Sequence, residues 1–254
     1  MPRANALRHL TGPFIDPTVG AVTGYLAPED PLRSLTSRYA ALESWVHQLI
    51  TSAAKDRLDL NPPTSGGGAA YRRAALEQIG WLGSARSGDD VRATVALTWA
   101  GWRTRFLAVA VADNPVARDW REYWRQHIRW ARDLFESAQV SQMSARVRMP
   151  WRRRLESAML SAGYVDRVVF FGAMVACASG HMTLWLPAAY LGLRGVEICV
   201  AVAKGGAAGE LPAFLVSLPV FFALDVLASL RATVGHVARR PRALDAPMRR
   251  EPDL

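Results

Sequence analysis

The chain has 254 residues, half of them hydrophobic, with 31 Lys plus Arg against 22 Asp plus Glu and a formal net charge of +9. That length and composition exclude wholesale disorder, and two cysteines in apolar surroundings, Cys177 and Cys199, exclude a disulfide scaffold and a Cys-based zinc site. The positive balance suits an anionic membrane surface as well as nucleic acid.

In chain order, residues 1–145 read as mixed α/β. Residues 19–23, Val-Gly-Ala-Val-Thr, form a short β-branched run between a Pro and a Gly and predict a buried strand. Residues 31–57 carry Leu32, Leu35, Tyr39, Leu42, Val46, Leu49 and Ile50 at helical spacing, with Pro31 suited to the first turn. Residues 61–68, with two prolines and three glycines, are a loop. A short helix is expected over 75–79, and a helix capped by Asp89 or Asp90 should run to residue 100. Residues 104–111 predict a strand and 119–139 a strongly periodic helix.

The charges then thin out. Residues 168–230 hold five charged side chains, Arg194, Glu197, Lys204, Glu210 and Asp225. Residues 168–193 contain no Asp, Glu, Lys or Arg, and residues 211–230 contain one, Asp225. About 20 apolar residues span a bilayer. Gly180 and Pro187 are positioned to split the first stretch, leaving Arg194 and Glu197, spaced i, i+3, near the middle of a second helix. About three hydrophobic helices are expected. Residues 146–167 carry six Arg and residues 231–250 six more, so both flanks favour the cytoplasmic side. Within 146–167 the apolar residues fall near one helical face, which reads as an amphipathic helix in the interface plane. The first 17 residues hold no apolar stretch of signal-peptide length, so insertion into the lipid bilayer is expected from the C-terminal part.

Three segments could carry chemistry. Gly66, Gly67 and Gly68 let backbone N–H groups approach a ligand, or simply make a flexible turn. Asp89 and Asp90 are adjacent carboxylates that can act as base, metal ligand or helix cap. Gln126, Arg129 and Trp130 are i, i+3 and i+4, so an amide, a guanidinium and an indole share one helical face. A guanidinium grips phosphate, and an indole offers a flat surface to a sugar ring. The alternative is a solvated helix carrying ion pairs.

The order of these segments is more specific than any one of them. Val-Gly-Ala-Val-Thr-Gly, a glycine-rich loop ending in Ala-Tyr-Arg-Arg, an acidic pair followed by Ala-Gly-Trp-Arg-Thr, Gln126-x-x-Arg129-Trp130 and then apolar helices resemble the processive-type family-2 glycosyltransferases. The cellulose, chitin and hyaluronan synthases belong to that group. The resemblance implies a GT-A catalytic fold on the cytoplasmic face of a membrane. It implies that Asp90 is the general base on the acceptor hydroxyl, with Asp89 beside it. Gln126, Arg129 and Trp130 would line the donor pyrophosphate and acceptor sugar, and Gly66, Gly67 and Gly68 would lie near the acceptor. A divalent metal, Mg or Mn, is implied for the complete enzyme.

One departure stands out. The group's nucleotide-gripping aspartate and its metal-binding Asp-x-Asp do not occur in residues 1–145, so no metal ligand is assigned in this chain. Residues 2–10 resemble the helix that follows that motif. The chain is therefore expected to begin just after the metal motif, which would lie upstream of Met1. The expected organisation is an incomplete GT-A domain over 1–145, an interfacial helix over 146–167, a transmembrane region over 168–235 and a basic tail over 236–254. The expected activity is sugar transfer from a nucleotide-sugar to a lipid or glycan acceptor, with inversion, at a bacterial plasma membrane. A catalytically inactive membrane protein using the same fold as a binding surface is the alternative. Nucleic acid is not expected as a partner, because the basic clusters flank the apolar segments.

Overall fold

A computed structural model describes residues 1–82, 89–143, 151, 152, 154, 155 and 165–238. At its centre lies a three-stranded sheet in the order β2–β1–β3. In β1 (Val19–Glu29) the first six residues are buried, as a strand covered on both faces requires. β3 (Arg103–Pro115) runs parallel to β1, and β2 (Ala69–Tyr71) runs antiparallel to it on the other side.

Both long strands overrun their expected bounds of 19–23 and 104–111. Pairing continues past Thr23 through a register shift between Gly24 and Tyr25. Gly24 makes this possible, because a Cβ there would stand 2.2 Å from the Ala110 carbonyl oxygen. β2 was not expected, since three residues are too few to show a period.

The far side of β3 receives the first residues of the chain. The Met1 amino group donates to the Asp113 carbonyl at 2.8 Å, the Asp113 N–H donates to the Met1 carbonyl at 2.9 Å, and Pro2 bridges Ala112. Residues 2–10 were expected to be helical throughout. The helix α1 (Ala6–Thr11) starts only at Ala6, because these contacts hold Met1 and Pro2 extended along the strand.

The expected helix over 31–57 is a rod of three segments: α2 (Leu35–Trp45), a π-helical turn (Val46–Ser52) and α3 (Ala53–Arg57). It starts later than expected. The Ser34 hydroxyl accepts the Ser37 N–H at 3.0 Å and caps the helix, so Pro31 stays in the preceding turn. The π turn carries Gln48, whose side-chain amide pairs with both backbone groups of Leu26, donating to the carbonyl at 3.0 Å and accepting from the N–H at 2.7 Å. Asp56 in α3 receives the Arg105 guanidinium at 2.7 Å and the Phe106 N–H at 3.0 Å, which ties the rod's end to β3.

The remaining polar-part helices are α4 (Arg73–Ile79), α5 (Asp89–Trp99) and α6 (Trp120–Met143). Asp119 caps α6 by accepting the N–H groups of Arg121 and Glu122.

Three apolar helices follow: α7 (Val165–Ala178), α8 (Trp185–Lys204) and α9 (Leu211–Ala238). The expectation of about three membrane helices is corrected in one respect. Two, α8 and α9, are long and apolar enough to cross a membrane, whereas α7 has only 14 residues. The break falls at Gly180, whose φ of +76° ends α7 in a left-handed turn. Arg194 and Glu197 do pair along α8, at 2.6 Å. Most of the expected interfacial helix over 146–167 and most of the tail over 236–254 lie outside the described residues.

The core is shared between the polar and apolar parts. Ala41, Leu42 and Trp45 of α2 pack with Ala201 and Val202 of α8 and Phe214 of α9. Tyr39 and Tyr123 pack with Phe221 of α9. Gly205, which ends α8, is seated on Trp45 so closely that a Cβ would lie 2.5 Å from the indole.

Candidate active site

The loop over 61–68 is irregular but firmly held. Asn61 donates to Thr98 Oγ1 and the Trp102 carbonyl, and its Oδ1 accepts the Thr104 N–H. The Thr64 hydroxyl donates to the Asp90 carbonyl, and its N–H reaches Thr94 Oγ1. The Ser65 N–H reaches Thr23 Oγ1, and the Gly68 carbonyl accepts the Gly24 N–H at 2.8 Å. β1 on one side and α5 on the other therefore fix a segment that has no regular structure of its own.

This arrangement joins two of the three expected site segments. The Gly66 N–H donates to Asp90 Oδ2 at 2.9 Å, and the Val91 N–H donates to Oδ1 at 2.8 Å. A carboxylate has about four acceptor positions, so half remain for a ligand. Asp90 is half-buried; Gly66 and Gly67 are exposed beside it. Asp89 begins α5 outside this network. Tyr71 lies behind the loop, its hydroxyl on Thr64 Oγ1 at 3.0 Å. Burial raises the pKa of this phenol, a hydrogen bond to Thr64 opposes the shift, and the Asp90 charge adds to it. The neighbouring Arg72 is structural: it donates to the carbonyls of Val19, Phe14 and Asp16.

The third segment lies on α6, which packs against α5. Arg129 is exposed, Trp130 is 43% exposed and Gln126 is half-buried, so all three have access to solvent. Among the described residues, none of them hydrogen-bonds Asp90 or the glycine loop. Tyr123 and His127 of the same helix are buried, and the Trp130 ring lies against that of His127.

Four residues escaped the sequence reading. His47, in the π turn, lies within range of the charges of Lys55, Glu43 and Asp90. The other three converge from different helices. His127 Nε2 is 3.2 Å from Glu43 Oε2, and Asp225 of α9 completes a group whose ligand atoms all lie within 4.8 Å of one another. His127 sits inside the Gln126–Trp130 segment, and Asp225 is the one carboxylate of an apolar stretch, so both were visible. Their pairing was not, because it depends on how α2, α6 and α9 pack.

The divalent metal implied by the resemblance does not fit the surroundings of Asp90. Both of its oxygens accept backbone N–H groups, and among the described residues no group of three His, Cys, Asp or Glu ligands includes it. The Met1 amino group is bound at the Asp113 end of β3. Asp113 is committed there to Arg3, whose guanidinium donates to its Oδ1. That ion pair holds the Asp113 carboxyl below the usual carboxylate range.

Comparison with known proteins agrees with this architecture. Residues 2–133, slightly over half the chain, match the family described as "Glycosyltransferase like family 2". The chain belongs to that family, and its polar part has the family's GT-A-like α/β fold. It is 31% identical over 128 residues to an N-acetylglucosaminyltransferase of Bradyrhizobium diazoefficiens, a match covering 47% of this chain and 26% of that protein. An N-acetylglucosaminyltransferase of Mesorhizobium japonicum is 32% identical over 128 residues, covering 47% and 30%. The chain thus spans about a quarter to a third of the length of these relatives. Among solved structures it is similar to a mannosyltransferase from Pyrobaculum calidifontis in complex with GDP-Man and Mn2+. That similarity has a TM-score of 0.47 and 21% identity, over 85% of this chain and 58% of that one.

Proposed function

We propose that this chain works as part of a membrane-bound family-2 glycosyltransferase of the processive type. It moves a sugar from a nucleotide-sugar to the hydroxyl of a lipid or glycan acceptor with inversion. The observation that carries this reading is the contact of Gly66 with Asp90. It holds a half-buried carboxylate, with acceptor positions to spare, beside a solvent-accessible glycine backbone.

In the reaction the acceptor oxygen attacks the anomeric carbon as the bond from that carbon to the nucleoside diphosphate breaks. Asp90 takes the acceptor proton. The Gly66 and Val91 N–H groups fix the orientation of its carboxylate. Arg129 holds the departing diphosphate by charge-assisted hydrogen bonds, and Trp130 offers its ring face to the acceptor sugar. Among the described residues, those beside Asp90 do not form a metal site. The names of the relatives make an N-acetylglucosamine nucleotide the first donor to test.

Membrane attachment is supported by the exposed apolar side chains of α7, α8 and α9. Phe171, Leu184, Trp185, Leu193, Val196 and Val216 are each more than half exposed, and patches of this kind mark membrane or protein contacts. The arginine-rich flanks favour a cytoplasmic catalytic side of a bacterial plasma membrane.

The test is donor turnover in membranes carrying the protein. Asp90→Asn should lower turnover about a hundredfold or more, with donor binding little changed, and Asp89→Asn should have little effect. Equal, mild losses from both would reduce the pair to a helix cap.

A further inference from the structure

We infer that Glu43, His127 and Asp225 form a buried positioning device that sets Trp130 and links its setting to the apolar helix α9. The assignment of Trp130 to the acceptor side rests on the function proposed above.

The geometry begins with the protons. The Tyr123 carbonyl lies 3.0 Å from His127 Nδ1, and a carbonyl can only accept, so Nδ1 carries a hydrogen. The opposite nitrogen faces the Glu43 carboxylate at 3.2 Å. The ring is 3% exposed and stacks on Tyr123 at 3.8 Å between centroids. Trp130 leans on the same ring at 5.0 Å and 59°. One imidazole therefore touches both Glu43 and the indole, with the Asp225 carboxylate within 4.8 Å.

Each carboxylate comes from a different helix, Glu43 from α2 and Asp225, fully buried, from α9. A buried carboxylate that loses its counter-charge is strongly destabilised, so the three groups hold or fail together. A shift of α9 carries Asp225 with it. His127 must follow or give up its charge, and Trp130 rests on His127.

The electrostatics agree with this geometry. Burial works against a charge on His127. The charges of Glu43 and Asp225, with hydrogen bonds to Glu43 and the Tyr123 carbonyl, outweigh it and raise the pKa above the ordinary 6.5. The titratable groups around the ring are Glu43 from α2, with Tyr39 acting on Tyr123, Asp225 from α9 and Tyr123 from α6 itself. No charged group of α5 is among the main influences.

The test uses the full chain in lipid nanodiscs, with ring-13C histidine and 5-fluorotryptophan. The His127 and Trp130 signals are assigned by His127→Gln and Trp130→Phe. His127 should titrate above 6.5, and the Trp130 fluorine signal should move with the same midpoint. Asp225→Asn, nearly the same size, should lower that midpoint by about one unit, and Glu43→Gln should do the same if either variant folds poorly. A Trp130 signal indifferent to pH while His127 titrates would overturn the inference. So would a His127 midpoint unmoved by both substitutions, or loss of the titration in Mn2+ or Zn2+, which would make the cluster a metal site. None of these readouts needs a donor sugar. An inactive protein with coupled signals refutes only the proposed function, and an active one with a silent Trp130 refutes only this inference.

Discussion

The N–H of Gly66 donates to Oδ2 of Asp90 across 2.9 Å, although 24 residues separate them in the chain. The contact makes the glycine loop part of the carboxylate's orientation. Gly66 does not have a left-handed backbone, and an added Cβ would sit 3.4 Å from that oxygen. Gly66→Ala should therefore fold normally and keep the contact with Asp90, so that a loss of turnover of about tenfold would report the methyl group crowding the acceptor. Gly24→Ala should behave differently, because its Cβ would meet the Ala110 carbonyl at 2.2 Å. It should destabilise the sheet by about 1–3 kcal/mol or prevent folding. Thermal melts beside turnover separate the two cases, and a well-folded Gly24→Ala protein would contradict the register shift.

Arg129 is exposed on α6. Hydrogen bonds to charged groups are worth about 1.5–3 kcal/mol. Arg129→Ala should therefore weaken nucleoside-diphosphate binding by about tenfold or more, and Arg129→Lys should recover only part of the loss. Product-inhibition constants measure this. Unchanged inhibition would remove Arg129 from the donor site.

The apolar part should stay in the membrane when washed with high salt or carbonate. Release by salt alone would mean that arginine–headgroup contacts hold it. Within α8, Arg194 and Glu197 neutralise each other at 2.6 Å, and a lone charge at mid-bilayer costs about 2.5–3.5 kcal/mol on insertion scales. Glu197→Leu alone should insert poorly in a glycosylation-mapping assay, and adding Arg194→Leu should restore insertion. Equal insertion of both variants would place this pair in water.

Stability should fall at alkaline pH. The pKa of His127 is raised on folding, so its contribution is complete below the ordinary value of 6.5 and is lost as pH rises through the raised value. Denaturant midpoints of the full chain in micelles should decline above 6.5, and Asp225→Asn should flatten that slope. A slope of the opposite sign would mean that His127 is neutral when folded.

Much of this was legible in the sequence. The long apolar runs and the period of α6 depend on local pattern, and local pattern survives folding. The place of the Gly180 break and the pairing of Arg194 with Glu197 were equally local. The contact of Gly66 with Asp90 was not, because Asn61, Thr64 and Thr94 create it through tertiary hydrogen bonds. The π turn was hidden because Leu49 and Ile50 fit an α-helical period too, and Gln48 has its use only when β1 is beside it. Pro2 looked like the start of a helix, and only the edge of β3 draws it out straight. Glu43 looked like one more polar position on a helix until Asp225 arrived from the far end of the chain.

Gln48 has a consequence for self-association. β2 pairs with only Ala21, Val22 and Thr23 of β1, which leaves the same edge open farther along. An open edge is a template for another chain's strand. At Leu26 the Gln48 amide occupies the N–H and the carbonyl together, imitating a neighbouring strand one residue long. The helix thereby guards the strand against recruitment into intermolecular sheets.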